Sequence, residues 1–413
     1  MSPLHHIDAD GERMVARLLE LVAIPTVNPP GKHYREVVEK LQEWCRAAGM
    51  SSTLHRVPDR IVSAAGVDPV HPRYNLIARW DVGAARTVHF NAHYDVVPAS
   101  GRWRFGGAFE PSVQKGWLYG RGSGDMKGSI AALLAAIEAL KESGRTPAFN
   151  IECSLTADEE TGGALGAGHV VREGLVRADY AVVCEGAAGT RVGCGHNGVL
   201  WMDVRVIGKP AHAASPHTGV NAFEMMAELV HRLQPYKKRL AALSRQYTDF
   251  NGDTRSPTAS IGGVFGGEGQ KVNTVPGNAS FTIDRRVLPN ERIARVEQEL
   301  RKSITTAAGA VGGGVRFDLK TLLCIEPCVV DSEHPLPRAF AASLKAIRRR
   351  PASFKLTTGF TDLHYFVAEG GLPGIGYGVD GRMGHGIDER VRVSDLLLTA
   401  KTYAHFMTRG LEA

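Results

Sequence analysis

Nitrogen and oxygen donors stand at five points of the chain, each beside an apolar run. His93 and Asp95 occur in NAHYDVV (91–97), Asp125 in GRGSGDMKGS (120–129), and Glu159 and Glu160 in TADEETGG (156–163). Glu185 follows YAVVC (180–184), and His385 follows LPGIGYG (372–378). Imidazole nitrogen and carboxylate oxygen bind zinc at about 2.0–2.2 Å, and the same set tolerates manganese or cobalt. Asp95 lies two residues past His93, on the same side of an extended chain. There it can accept a hydrogen bond from the ring and fix its orientation. Adjacent residues of an extended segment point opposite ways, so one glutamate of the doublet can bind metal while the other faces a substrate. A free carboxylate beside a metal-activated water is a general base. Singly, each signal has a plainer reading: a structural His-x-Asp, a solvated acidic doublet, a helix-capping Asp. Their joint placement carries the inference.

That placement depends on the elements. Strand-like runs occur at 74–80, 87–92, 149–156 and 180–184, and helical periodicity at 11–22, 35–48, 164–173, 220–233, 291–306 and 394–408. The stretch GSIAALLAAIEAL (128–140) is apolar nearly all round and reads as a buried helix. Strands alternating with helices predict an α/β fold, a mostly parallel sheet flanked by helices. Ligands bind such sheets at the carboxyl ends of the strands, where His93, Asp95, Glu159, Glu160, Glu185 and His385 fall. Asp125 is expected at the start of the buried helix, where the dipole favours a carboxylate. From about residue 192 the pattern changes. The runs 198–208, 258–267 and 278–287 alternate between apolar and polar residues, with a helix after the first and another after the third, which suits a small α+β domain with one open sheet face. After a glycine-rich joint at 308–314 the first style returns. The expected domains are therefore 1–191 and 312–413, forming one catalytic domain, with an inserted α+β domain at 192–311.

Composition narrows the class. The 413 residues carry 49 basic and 43 acidic side chains, a net charge of +6. The basic runs KKR (237–239) and RRR (348–350) lack interleaved aromatics and read as solvated helix faces, so no nucleic-acid partner is expected. A mild positive field favours anionic small molecules. No apolar run reaches membrane-spanning length, and the polar, acidic start lacks a signal-peptide core, so the expected location is cytoplasmic. The six scattered cysteines read as reduced thiols. GGVFGGEGQ (262–270) lacks the Lys-Ser/Thr ending of a phosphate loop, and GRGSGD is no dinucleotide fingerprint.

Seven stretches in order resemble the zinc aminoacylase and carboxypeptidase family, which includes acetylornithine deacetylase, succinyl-diaminopimelate desuccinylase and bacterial glutamate carboxypeptidase. They are LLELVAIPTVNPPG (18–31), HYDVVP (93–98), LYGRGSGDMKGSIAA (118–132), LTADEETGG (155–163), GKPAHAASPHTGVNA (208–222), NTVPGNASFTIDRR (273–286) and GHGIDE (384–389). The resemblance implies that His93 and Glu185 hold one metal ion, Glu160 and His385 another, and Asp125 bridges them. It implies Glu159 as general base and acid, and Asp95 as the partner of His93. His212 resembles the histidine that steadies the oxyanion, and Asn273 and Arg286 the pair that holds the substrate. TGFTD (358–362) resembles the turn near the substrate's carboxylate, which brings in Gly359 and Thr361. The sequence departs from the family pattern at Ala92, Gly186, Gly384 and Thr361, none of them a ligand.

These features together predict a metal-dependent hydrolase that cleaves a C–N bond, with two divalent ions, zinc foremost. Two such ions overcompensate three carboxylate ligands by one charge, which a hydroxide neutralises, and one ion leaves a negative site. Two-ion occupancy is expected, with single occupancy an alternative. The expected substrate is the amide of an anionic N-acyl amino acid or small peptide-like molecule. The alternatives are an aminohydrolase acting on an aromatic C–N bond and, from another class, a non-catalytic binding protein. The resemblance also implies a homodimer formed through the inserted lid and dimerisation domain, with His212 reaching the partner's site.

Overall fold

Strand Thr87–His93 lies between Asn150–Thr156 and Tyr180–Val183, parallel to both, and Gly374–Gly376 continues the parallel run beyond Tyr180–Val183. These four strands form the middle of a nine-stranded sheet. On one side Tyr74–Trp80 and Ser51–Arg56 add antiparallel, and on the other Arg191–His196 does so. The sheet is therefore mostly parallel at its centre and antiparallel towards its edges. The computed structural model describes residues 1–243, 247–267, 271–311 and 315–411. The last part of the stretch 262–270 and of the joint 308–314 lies outside them.

The chain forms two compact units, one of Met1–Gly195, Val329–Thr357 and Thr361–Ala413, the other of His196–Cys328 and Thr358–Phe360. In the first, helix Lys127–Glu142 buries Ile130, Leu133, Leu134, Ile137 and Leu140. It packs against helices Val393–Arg409, Pro3–Ala9 and Gly11–Ala23 and against strand Thr87–His93. A helix surrounded in this way must be apolar on all sides. One face of the central strands is nevertheless polar. His89 contacts Glu152 at 2.8 Å and Ser154 at 2.7 Å, and Asn91 donates to Ser154 and Thr156 at 3.0 Å each. A buried polar group left unpaired costs about 1–3 kcal/mol, so this ladder is held in one register. Its next rung on Thr87–His93 is His93.

The second unit is an antiparallel sheet ordered Thr258–Gly266, Asn278–Val287, Gly198–Ile207, Arg316–Ile325. Strand Asn278–Val287 alternates strictly, burying Ala279, Phe281, Ile283, Arg285 and Val287. Helices Ala222–Arg232 and Ile293–Val311 cover the buried face. The boundaries expected at 192 and 311 move. Residue 192 lies within Arg191–His196, a strand of the first unit's sheet. At the other end, Arg316–Ile325 pairs antiparallel with Gly198–Ile207, so the second unit runs on to Cys328. That strand has only Ile325 fully buried, so it carries a weak hydrophobic signal.

Candidate metal centre

The parallel strands end at one edge, and the loops beyond them bring the donors together. His93 closes its strand with its Nε2 3.2 Å from Asp125 Oδ1. The other carboxylate oxygen of Asp125 lies 3.3 Å from His385 Nε2, and that nitrogen is 3.0 Å from Glu160 Oε2. Glu185 Oε2 approaches His93 Nε2 at 3.9 Å. Two groups of potential ligands result, His93–Asp125–Glu185 and Asp125–Glu160–His385, each with its donor atoms within 4.8 Å of one another. Asp125 belongs to both and turns one oxygen toward each histidine. It does not start the helix as expected. Helix Lys127–Glu142 begins two residues later, Met126 occupies the cap position, and the Asp125 carboxylate is left for the histidines.

The acidic doublet is not extended either. Glu159–Thr161 forms a single 3₁₀ turn after strand Asn150–Thr156. The turn, rather than an extended pleat, separates the two side chains. Glu160 faces His385, whereas Glu159 Oε2 stands 3.9 Å from His93 Nε2 and belongs to neither ligand group. Asp95 holds this turn: its carboxylate accepts from the backbone N–H of Glu159 at 3.2 Å and of Glu160 at 3.3 Å, and from Asn28 at 3.1 Å. The same carboxylate lies 3.4 Å from His93 Nδ1, but the nearer acceptor for that nitrogen is the backbone carbonyl of Asp95, at 3.0 Å.

Sequence reasoning passed over the residues beneath the turn. Asp158 has a left-handed backbone, φ 64°, and its carboxylate accepts from Asn28 at 3.1 Å, Tyr34 at 2.9 Å and Arg73 at 2.7 Å. The motif VNPPG around Asn28 was the available signal. Arg73, isolated before a strand, offered none. Asp362 closes the stretch TGFTD (358–362). It is buried, and burial pushes its carboxyl up to about 8.

The electrostatics call for cations. Burial holds Glu159 and Glu185 well above the usual carboxylate range; the Glu185 charge adds to it at Glu159 and the Asp125 charge at Glu185, against the pull of His93 on both. Glu160 is raised by burial too, against the pull of His385. Burial also works to raise Asp125, but His385 and His93 outweigh it and bring it below the usual range. Hydrogen bonds donated to Asp125 and Glu160 raise His385 to about 10. In addition, Glu160 Oε1 and Glu185 Oε1 are buried without a hydrogen-bond partner, one in each ligand group. Orphaned carboxylate oxygens are costly unless something binds them. A pair of divalent cations fits this donor set in number, charge and hardness.

The remaining expected site residues divide between the units. In the second unit, His212 pairs with Thr274, and Ala213 N donates to Asn273 O at 3.0 Å, so His212 and Asn273 are neighbours. His212 is exposed, and its Nδ1 accepts from Ala214 N at 3.1 Å. The neutral ring therefore carries its proton on Nε2, as a donor. Arg286 pairs with Asp284 at 2.9 Å and donates to Thr358 O at 3.4 Å, and Gly359 beside it has open space where a side chain would start. In the first unit, Thr361 is buried and its hydroxyl accepts from Leu363 N at 3.2 Å.

The model of peptidase family M20/M25/M40 matches residues 89–409. Succinyl-diaminopimelate desuccinylase of Alkalilimnicola ehrlichii is 31% identical over 339 residues, 78% of this chain and 83% of that one. Acetylornithine deacetylase of Pasteurella multocida is 28% identical over 307 residues, 73% of this chain and 74% of that one. Among solved structures, an M20-family metallo-carboxypeptidase of Sulfolobus solfataricus superposes with a TM-score of 0.75 at 18% identity, covering 96% of this chain and 98% of its own. With that match spanning the sheet edge and both ligand groups, the chain belongs to peptidase family M20/M25/M40 and is a hydrolase of carbon–nitrogen bonds.

Proposed function

We propose that the protein hydrolyses the amide of an anionic N-acyl amino acid or small peptide-like molecule, using two divalent ions, zinc foremost. The observation that carries this reading is the pair of ligand groups sharing Asp125, with a buried carboxylate, Glu159, beside them and outside both. His93, Asp125 and Glu185 would hold one ion, and Asp125, Glu160 and His385 the other. Bound there, the ions supply Lewis acidity for the carbonyl and make water acidic enough to react near neutral pH. Glu159 takes the proton of the attacking water and returns it to the leaving nitrogen. Its burial suits both tasks, since a raised pKa makes a carboxylate a better base and its acid a persistent donor. His212 Nε2–H donates to the oxyanion. Arg286 and Asn273 hold the anionic part of the substrate, with Gly359 leaving room beside Arg286 and Thr361 shaping the adjoining turn. The names of the desuccinylase and deacetylase relatives support the N-acyl class.

A panel of N-acetyl, N-succinyl and N-formyl amino acids and aryl amines, each tried with zinc, manganese and cobalt, tests the proposal. Amide hydrolysis that a chelator abolishes is expected. Hydrolysis of aryl amines alone would establish the aminohydrolase reading instead, and metal binding without turnover of the panel would favour a binding protein.

We place the protein in the cytoplasm as a homodimer joined through the second unit. All six cysteines are free, and among the described residues no helix is long and apolar enough to cross a membrane. Strand Thr258–Gly266 is an end strand of its sheet, with Val264 69% and Phe265 73% exposed, an edge open to twofold pairing. In such a dimer His212 serves the partner's centre. Mixing Glu159→Ala and His212→Ala chains, each inactive alone, should then restore roughly a quarter of wild-type activity, since about half the dimers are mixed and each has one intact site. No recovery after proven subunit exchange would confine His212 to its own chain.

A further inference from the structure

The stretch GRGSGD has the look of an anion-binding loop, yet its anion is internal. Glu389 is fully buried, and four donors of this loop converge on its carboxylate. Oε2 accepts from the Arg121 guanidinium and from Gly122 N at 3.1 Å. Oε1 accepts from Gly124 N at 2.9 Å and from the backbone N–H of Asp125 itself at 3.0 Å. The glycines serve this wrapping. Gly122 has φ +87°, and a side chain on Gly124 would start 2.9 Å from the Gly381 backbone.

Glu389 ends the loop that carries His385. That loop is closed at its base, where Arg382 and Arg390 exchange backbone hydrogen bonds of 2.8 and 3.0 Å. Further ties run to the same place: Arg121 Nη2 donates to Gly386 O at 3.2 Å, and Gly120 N to Glu389 O at 3.0 Å. The Asp125 loop and the His385 loop are thus fastened to each other through one carboxylate. Asp125 and His385 are both members of the group Asp125–Glu160–His385.

We propose that Glu389 is a positioning residue that fixes the spacing of Asp125 and His385 and so sets the affinity for the ion held between them. The inference rests on the metal-centre reading above. A carboxylate is required because both oxygens accept. Glutamine would turn an NH₂ group toward N–H donors on one side. Partners that orient metal ligands are worth about 10–100-fold in metal affinity.

The test is a competitive chelator titration of wild type, Glu389→Gln and His385→Ala, reading ions per folded chain, with thermal unfolding of the metal-free proteins alongside. For Glu389→Gln we expect about 10–100-fold weaker retention of one ion per folded chain. A purely structural role would lower the unfolding temperature of the metal-free protein and leave ions per folded chain unchanged, which would overturn the proposal. If His385→Ala loses an ion while Glu389→Gln holds both at wild-type affinity, the positioning role fails and the metal centre stands. If His385→Ala matches wild type, the metal-centre reading fails and takes this inference with it. Should Glu389→Gln not fold, Glu389→Asp keeps both acceptors on a shorter stem. A loss in the same direction supports the role, and wild-type retention overturns it.

Discussion

Glu159→Gln is expected to lower kcat by roughly 10²–10⁴-fold while leaving metal content and substrate affinity close to wild type. The substitution preserves volume and planarity but removes the proton acceptor. Glu159 stands apart from both ligand groups, so no ion depends on it. Its position in the turn is set through its backbone N–H, which Asp95 accepts, and the side-chain amide leaves that bond untouched. Burial and the neighbouring Glu185 raise its pKa, so the charged form gains little from its surroundings, and neutral Gln should fold as well as Glu. Turnover on an N-acyl amino acid, with metal analysis and equilibrium binding of the same substrate, checks the prediction. A near-normal rate would reject Glu159 as the base. Loss of metal together with rate would make it a ligand.

Asp125→Ala should lose both ions, whereas His93→Ala and His385→Ala should each keep one. The asymmetry follows from geometry. Asp125 Oδ1 faces His93 at 3.2 Å, Oδ2 faces His385 at 3.3 Å, and each histidine belongs to one group only. Removing the shared carboxylate takes one oxygen from each group and leaves the buried His93 ring without its Nε2 partner. Activity should vanish in Asp125→Ala, and circular dichroism should show the fold retained. Metal analysis after dialysis against a weak chelator reads the result. Equal metal loss in all three variants would mean a single shared site, and full metal in Asp125→Ala would remove it from the ligand set.

The central strands and the buried helix were legible because their signals are local and strong. Thr87–His93 and Asn150–Thr156 alternate apolar with polar residues over a strand's length, and helix Lys127–Glu142 is apolar nearly all round. The five candidate donors were legible as a group because the carboxyl edge of a parallel sheet gathers whatever follows its strands. Other features leave weaker traces. Arg316–Ile325 is a half-exposed strand at the end of its sheet, and its placement decides the unit boundary. Helix Pro335–Arg348 opens with Pro335 and Pro337, which read as breakers although the first turn needs no N–H from them. The residues that hold the site were the least legible. Glu389 reaches Asp125 from 264 positions away, and Arg73 reaches Asp158 from 85. They act on backbone amides or on a single carboxylate, and no spacing rule marks such a partner.

The proposed two-ion centre with Glu159 as base makes C–N hydrolysis depend on both metal and Glu159. Adding zinc, manganese or cobalt stepwise to chelated protein, while following release of the free amine from an N-acyl amino acid, tests it most directly. No hydrolysis is expected before addition, then a rise that levels off at about two equivalents per chain, with a flat trace for Glu159→Gln throughout. Full hydrolysis in the chelated protein, or metal-restored activity in Glu159→Gln equal to wild type, would contradict it.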